Sequence, residues 1–186
     1  MVSGTPPPWP TRGLSLRMNG REAEDAVVVA LGSNLAGDYP SSRALLEAVV
    51  ARLPGLGLTI LARSRWWRSA AWPDAALPAF LNGVALARTR LPPASVMAAL
   101  LGLEASFGRR RGAPNAARTL DLDLVAHGRL LIDAPGLVLP HPRASERRFV
   151  MGPLAEIAPD WRHPAGGATA AALAAVASVG GDAVRT

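Results

Sequence analysis

The sequence predicts an α+β domain of the ferredoxin-like class, an antiparallel sheet with two helices on one face, followed by C-terminal additions. The first observation is the order of the apolar segments: strand, helix, strand, strand, helix, strand, which is the βαββαβ order of that class. The second is composition, because 49% of the 186 residues are hydrophobic and 18% are charged, enough for one sizeable core. Since this fold class hosts many activities, function has to be inferred from the candidate site.

The first predicted elements are a buried strand and an amphipathic helix. Residues 26–31 form a short, β-branched apolar run that ends at Gly32, which is typical of a buried strand. Leucine and valine residues then recur at helical spacing between residues 40 and 53, and Pro54 and Gly55 end that helix.

Two strands separated by a loop are predicted next. Residues 58–68 alternate as a strand does, residues 70–78 are rich in alanine and proline and predict a loop, and residues 80–88 predict another strand. Trp66 and Trp67 are adjacent, so one is expected to face the core and the other the side of the sheet that has no helices.

The second helix is predicted to begin at Pro92 and Pro93 and to end at Gly108. Its apolar stripe has helical spacing and consists of Val96, Leu100, Leu103 and Phe107. Residues 109–117 contain Gly, Pro and Asn and predict a loop, and residues 120–126 predict the last core strand.

The chain divides into three predicted regions. Residues 1–25 begin with a proline-rich stretch and are expected to be a disordered tail. Residues 26–165 are expected to form the main folded domain. Residues 166–186 are a short C-terminal extension with a small alanine-rich helix near residues 169–179.

Composition excludes several classes of protein. The chain has no cysteine, which excludes a disulfide scaffold, a thiol nucleophile and a thiolate metal site. We find no export signal and no apolar run long enough to span a bilayer, so we expect a cytoplasmic protein with no membrane partner. The net charge is +6 and all 20 basic residues are arginine, which favours a polyanionic partner or reflects a GC-rich genome.

Asp121 and Asp123 are the sharpest local feature. Residues two apart on a strand point to the same side, so both carboxylates share one face while Leu122 and Leu124 are buried on the other. Two carboxylates at that distance repel unless a cation lies between them, and oxygen ligands favour Mg²⁺ or Mn²⁺. The alternative is a solvated outer face of an edge strand.

Arginine clusters on both sides of the acidic pair favour the metal interpretation. The first cluster precedes the pair and the second follows His141; together they comprise Arg109, Arg110, Arg111, Arg118, Arg143, Arg147 and Arg148. Carboxylates for a metal with arginines beside them suit a polyphosphate with bound Mg²⁺. There is no P-loop motif and no dinucleotide-binding glycine motif, so side chains would hold the nucleotide.

A second, flatter pocket is indicated by Phe80, Asn82 and Phe149. The amide of an asparagine can pair with a heterocycle, and aromatic rings can sandwich one. The alternative for the two phenylalanines is ordinary core packing.

Over residues 27–164 the sequence resembles the 6-hydroxymethyl-7,8-dihydropterin pyrophosphokinase family of folate biosynthesis. The motifs that carry the resemblance are Ala30-Leu31-Gly32-Ser33-Asn34-Leu35, Phe80-Leu81-Asn82, Glu104 with Phe107-Gly108-Arg109, Arg118-Thr119-Leu120-Asp121-Leu122-Asp123, Pro140-His141, Arg147 with Phe149, and Pro153-Leu154-Ala155-Glu156-Ile157-Ala158-Pro159. The ordered combination is specific, and the stretch around Asp121 and Asp123 most of all.

The resemblance implies transfer of the β,γ-pyrophosphoryl group of ATP to the pterin hydroxymethyl group, with AMP as the second product. It implies that Asp121 and Asp123 hold two Mg²⁺ ions. The pterin-binding residues would be Ser69, Trp72, Phe80, Asn82 and Phe149. The ATP-binding residues would be Glu104, Arg109, His141 and Arg147. Arg109 and Arg118, with the two aspartates, would be catalytic, and loops 70–78 and 109–117 would act as lids.

The sequence departs from the commonest family pattern in the loop segment 114–118 and at Ala70, Leu101 and Pro142. Two alternatives stay open: a nucleic-acid-binding module, which the arginine excess would suit, and a non-catalytic relative that binds pterin. The expected partners are ATP and the dihydropterin, with no nucleic acid, and we expect a monomer.

Overall fold

The computed structural model describes residue 18 and residues 20–71, 74–109 and 118–186. Its elements are, in chain order, helix α1 (Gly20–Asp25), strand β1 (Val27–Ser33), helix α2 (Ser42–Arg52), strands β2 (Thr59–Arg63), β3 (Trp67–Ser69) and β4 (Phe80–Arg88), helix α3 (Pro93–Ser106), strands β5 (Asp121–His127), β6 (Ile132–Ala134) and β7 (Leu137–Leu139), helices α4 (Arg148–Ile157) and α5 (Ala170–Val176), and strand β8 (Val184–Arg185). The predicted order of strands and helices from β1 to β5 is confirmed.

An antiparallel sheet lies at the centre of the fold, with helices on both of its faces. Among the described residues its strands lie in the order β5-β1-β4-β3-β8, and β2 pairs with the other end of β4. Strands β6 and β7 form a separate hairpin. The central strand β1 is buried along its whole length, which explains its continuous apolar sequence.

The predicted strand 58–68 is interrupted at residues 64–66, between β2 and β3. The Ser64 hydroxyl accepts a hydrogen bond from the Val84 N–H at 3.0 Å, in the place of a backbone carbonyl of a regular ladder. The Ser64 N–H still donates to the Val84 carbonyl at 2.9 Å, so the ladder with β4 becomes irregular at Ser64 and resumes as β3.

Helices α2 and α3 pack on one face of the sheet, as predicted. Their buried side chains meet alternate residues of β1, and the predicted stripe of α3 is buried throughout. On the other face, Val28 and Val84 pack against Val150, Met151 and Leu154 of α4, and residues of α1 and α5 join the same apolar cluster.

The prediction that helices lie on only one face was wrong. A strand with apolar residues on both sides has to be covered on both sides, and α4 supplies the second cover. Trp66 and Trp67 do point to opposite faces, but Trp67 packs against α4: a Cβ at Gly152 would lie 2.7 Å from its ring. The Trp67 indole N–H also donates to Glu156 at 2.8 Å.

The predicted disordered tail needs one correction. Residues 20–25 form α1, because Ala23 is fully buried in the second apolar cluster and Glu24 pairs with Arg129 at 2.9 Å. Residues 1–17 lie outside the described residues. In the C-terminal region, α5 packs on α4 and β8 pairs with β3, so residues 170–185 are joined to the domain.

No helix in the described part of the chain combines the length and the apolar character that crossing a bilayer requires.

Candidate active site

The candidate site lies where one end of β1 meets the starts of β4 and β5. Because both neighbours run antiparallel to β1, Gly32 pairs with Asn82 on one side and with Asp121 on the other. Asp123 pairs with Ala30 two residues further along the same strands. Directly paired residues share a face of the sheet, so the amide and both carboxylates come together there.

The acidic pair is surrounded by arginines from three segments. Asp121 forms ion pairs with Arg109 at 2.8 Å and with Arg118 at 3.1 Å, and it accepts a hydrogen bond from Arg118. Asp123 accepts from Arg147 at 3.2 Å. Leu122 and Leu124 are buried on the opposite side, so the predicted division of β5 into an acidic face and an apolar face is confirmed.

His141 completes the surroundings of Asp123. Its Nε2 lies 4.0 Å from the carboxylate, and its backbone N–H donates to Val125 at 2.8 Å, which fixes the residue beside β5. Burial lowers the pKa of His141, although the Asp123 carboxylate acts in the opposite direction. Burial raises the pKa of Asp123, and the charge of Asp121 raises it further.

The acidic pair fits Mg²⁺ bound together with phosphates. Both side chains offer oxygen ligands, and within the described ranges no group of three or more His, Asp or Glu residues could hold a metal ion by itself. The other ligands would therefore come from a substrate and from water. Mg²⁺ is commonly bound in this way, through one or two carboxylates plus substrate phosphates.

Glu104 contacts two groups that position the acidic pair, the β5 backbone and Arg109. It lies in the last turn of α3, is 3% exposed, accepts from the Leu122 N–H at 2.6 Å and pairs with Arg109. Burial raises the pKa of Glu104, while the Leu122 N–H and Arg109 act to lower it. Glu104 thus connects α3 to β5 and holds Arg109 beside Asp121.

Asn82 and Ser69 form a buried polar pair near the carboxylates. The Asn82 amide donates to the Ser69 hydroxyl at 3.0 Å, and both residues are buried. A single pocket joins this pair to the acidic side; the predicted site residues that line it are Ser69, Phe80, Asn82, Arg118, Asp121, Asp123, Arg147 and Phe149. Glu104, Arg109 and His141 are not among its lining residues, but each lies beside the acidic pair.

Some residues that the sequence places at the site lie away from it or outside the described residues. Arg148 of the second arginine cluster donates to Ala174 of α5 at 3.0 Å, so it joins two helices. Trp72 lies outside the described residues, as do Arg110, Arg111 and residues 114–117 of the altered loop segment. Leu101, where the sequence departs from the commonest family pattern, is 39% exposed on α3.

Asn34 is a residue whose part in the site was not predicted. Its amide donates to the Pro78 carbonyl at 2.9 Å, and its oxygen accepts from the Arg118 N–H at 2.8 Å. It therefore connects the end of β1 to the segments that carry Arg118 and Phe80. The signal was an Asn directly after a buried strand, but only the fold shows which segments it bridges.

Val179 also lines the pocket although no pattern around it indicated a site. It lies more than 50 positions after the acidic pair in the chain, and its place depends on how the C-terminal segment folds back.

Comparisons with known proteins agree on one family. Residues 28–159 match the family model described as 7,8-dihydro-6-hydroxymethylpterin-pyrophosphokinase (HPPK). A 2-amino-4-hydroxy-6-hydroxymethyldihydropteridine pyrophosphokinase of Pseudomonas aeruginosa is 43% identical over 140 residues, which are 75% of this chain and 85% of that protein. The protein of the same name from Synechocystis is 38% identical over 143 residues, covering 76% of this chain and 71% of the relative.

Among solved structures, wild-type HPPK-DHPS of Plasmodium falciparum superposes with a TM-score of 0.62 at 12% identity. The match covers 81% of this chain and 44% of that one, so this chain spans under half of its length. At this identity the likeness concerns the fold. From the family model and the two bacterial relatives it follows that the chain belongs to the 7,8-dihydro-6-hydroxymethylpterin-pyrophosphokinase family.

Proposed function

We propose that this site transfers the β,γ-pyrophosphoryl group of ATP to 6-hydroxymethyl-7,8-dihydropterin, giving the pterin diphosphate and AMP in folate biosynthesis. The observation that carries the proposal is the shared pocket: the Asp121 and Asp123 carboxylates and the Asn82–Ser69 pair line the same cavity. A polyphosphate on the acidic side and a flat heterocycle on the amide side would place the two reacting groups next to each other.

Asn82, Phe80 and Phe149 would bind the pterin. The hydrogen bond to Ser69 fixes the plane of the Asn82 amide, so that its oxygen and remaining N–H can pair with the polar edge of the ring. Phe80 and Phe149 line the same pocket and would stack on the two faces of the ring. Trp72 is retained as a proposed pterin contact from the family resemblance.

Asp121 and Asp123 would hold two Mg²⁺ ions. When bound, Mg²⁺ neutralises phosphate charge, aligns the triphosphate and favours ionisation of the attacking hydroxyl. Arg109, Arg118 and Arg147 now neutralise the two carboxylates. In the proposed complex these arginines turn to the phosphate oxygens, which they can grip in bidentate fashion. Glu104 and His141 would contact ATP from the positions described above.

The reaction balances with these groups alone. The pterin hydroxyl oxygen forms a bond to the β-phosphorus, and the bond from that phosphorus to the oxygen bridging the α- and β-phosphates breaks. That oxygen leaves as part of AMP, and the hydroxyl proton passes to solvent. The site then needs to neutralise charge and align the reactants, and it does not need a strong protein base.

The strand order β5-β1-β4-β2, with α2 and α3 on one face, supports assignment to the ferredoxin-like class. Helices α4 and α5 and strand β8 would be additions to it. A monomeric state, a cytoplasmic location and the exclusion of nucleic acid and membranes as partners stay predictions.

Nucleotide analysis tests the proposed activity. The protein is incubated with ATP, Mg²⁺ and 6-hydroxymethyl-7,8-dihydropterin, and the nucleotide products are separated by anion exchange. AMP that forms only when pterin is present supports the proposal. ADP would mean ordinary kinase chemistry, and bound pterin without turnover would favour a non-catalytic relative.

A further inference from the structure

The last nine residues, 178–186, follow the family-matched part of the chain, which ends at residue 159, and they place Val179 in the lining of the pocket. We call them the C-terminal segment. Its start is fixed because the Val179 N–H donates to Glu146 at 2.9 Å and the Val179 carbonyl accepts from the Arg148 N–H at 2.8 Å. Its end is fixed because β8 pairs with β3 and the Thr186 N–H donates to Trp66 at 3.0 Å. The residues between these anchors bridge α4 and β3.

Gly180 lies directly against the ring of Phe149. A Cβ at residue 180 would be 2.5 Å from Phe149 Cδ1, closer than carbon atoms that are not bonded can approach, and 3.2 Å from Cε1. Gly180 also has a φ of 69°, in the region that favours glycine. The neighbouring Gly181 differs, since the nearest atom to a Cβ there is a backbone oxygen 3.8 Å away. The position of the Phe149 ring thus depends on the absence of a side chain at Gly180.

Asp182 contacts Ala70, another residue that lines the same pocket. Its carboxylate accepts from the Ala70 N–H at 2.5 Å. Ala70 lines the pocket and follows Ser69, the residue that orients the Asn82 amide. A contact from the end of the chain therefore fixes the backbone next to the Ser69–Asn82 pair.

We propose that the C-terminal segment forms one wall of the pterin subsite and sets affinity for the dihydropterin ring, with Gly180 and Asp182 as positioning residues. This inference rests on the proposed function. Val179 would meet the ring directly, Gly180 acts through Phe149, and Asp182 acts through Ala70 and Ser69. The ion pairs of Asp121 with Arg109 and Arg118 come from other segments, so this part of the nucleotide site does not depend on Gly180 or Asp182. Arg147 does contact the C-terminal region, through the Phe149 ring and a bridge to Val179, so ATP affinity should fall less than pterin affinity.

A matched pair of glycine variants tests the role proposed for Gly180. Dihydropterin binding is measured by titration calorimetry with Mg²⁺ and α,β-methylene-ATP, in which the bond to be broken cannot be cleaved. Gly180→Ala should raise the pterin Kd by about tenfold or more, because the ring has to move. Gly181→Ala should leave it within about twofold, since there is room for a methyl group. The KM for ATP should rise clearly less than the pterin Kd in Gly180→Ala, and it should stay within about twofold in Gly181→Ala.

Substitutions of Asp182 test the role proposed for its contact with Ala70. Asp182→Ala removes the acceptor for the Ala70 N–H and should raise the pterin Kd by about three- to tenfold. Asp182→Asn keeps an acceptor oxygen and should restore most of the affinity. Asp133→Ala, which removes an exposed carboxylate of β6, is the control and should change nothing.

Three results would overturn the inference: unchanged pterin affinity in both Gly180→Ala and Asp182→Ala, an equal loss of pterin and ATP affinity in these variants, or an effect of Gly181→Ala as large as that of Gly180→Ala. A wild-type protein that binds no dihydropterin would instead overturn the proposed function, and this inference with it.

Discussion

Asp123 combines a partly buried carboxylate, a like-charged neighbour at Asp121 and an ion pair with Arg147. Burial and Asp121 raise its pKa, which means that the folded protein disfavours the charged form. A side chain kept charged at this cost is better explained by what it binds than by what it stabilises.

Asp123→Asn should therefore abolish turnover and preserve the fold. The amide keeps the shape of the side chain but is a poor Mg²⁺ ligand, so we expect kcat to fall at least ~100-fold. The free energy of unfolding should change by no more than about 1 kcal/mol, because only a partly exposed ion pair is weakened. Steady-state kinetics and urea denaturation measure the two quantities, with Asp133→Asn as the control. Retained turnover would contradict the metal-binding role.

Asn34→Ala should act on ATP more than on pterin. The substitution removes the acceptor for the Arg118 N–H and the donor to Pro78, so Arg118 loses its support. We expect the KM for ATP to rise and stability to fall by about 1–3 kcal/mol, because a partly buried backbone group loses its partner. Asn82→Ala should instead raise the KM for pterin. Equal effects of both variants on both KM values would argue against separate roles.

Protonation of His163 should lower the free energy of unfolding of the protein as the solution becomes acidic. Burial lowers the pKa of His163 below its usual 6.5, so the unfolded chain binds its proton at a higher pH than the folded protein does. Stability is then greatest above pH 6.5 and falls as the pH drops from there towards the lowered pKa. His163→Gln should flatten this part of a plot of unfolding free energy against pH. The same slope in both proteins would show that His163 does not contribute.

Helix α4 shows at the scale of elements what the sequence could and could not predict. The strands and helices from β1 to β5 follow from apolar spacing and from Pro and Gly at their ends. The structure confirms their order, except that the predicted strand 58–68 is divided into β2 and β3. The position of α4 across the second face could not be read in this way, because a helical segment does not specify which surface it will cover. The clue was β1, whose uninterrupted apolar residues required cover on both sides.

Some residues of the site could be predicted from the sequence, and others could not. Asp121 and Asp123 were predictable because a two-residue spacing on a strand has one geometrical meaning. Asn34 and Val179 were not, since their roles depend on segments far away in the chain: Pro78 and Arg118 for the first and the start of α4 for the second. Contacts of long sequence separation leave no local pattern.

Two glycines within helices test how α4 packs. Gly152→Ala should destabilise the protein by about 1–3 kcal/mol, because the new methyl group would overlap the Trp67 ring. Gly102 on α3 is exposed, with no atom within 4 Å of a Cβ, so Gly102→Ala should stabilise by up to about 1 kcal/mol. Urea denaturation compares both with the wild type. A stabilising Gly152→Ala would mean that α4 does not press on Trp67.

At the scale of the whole molecule, the excess of arginine is partly explained by the site. The net charge of +6 left a polyanionic partner and genome composition as alternatives. Three arginines from separate segments, Arg109, Arg118 and Arg147, meet at the acidic pair. Others pair with carboxylates at the surface, as Arg63 does with Glu47 at 2.9 Å. Convergence of three guanidinium groups on one pair of carboxylates favours a small, highly charged ligand there.

The most direct test of the central claim follows the phosphates themselves. Parallel reactions are run with ATP labelled with ³²P at the α- or at the γ-phosphate, together with Mg²⁺ and 6-hydroxymethyl-7,8-dihydropterin, and the products are separated by chromatography. Our account predicts that the γ-label appears in the pterin product while the α-label stays in AMP, and that Asp123→Asn gives neither. An α-label that leaves with the pterin, or a γ-label on pterin accompanied by ADP, would contradict pyrophosphoryl transfer.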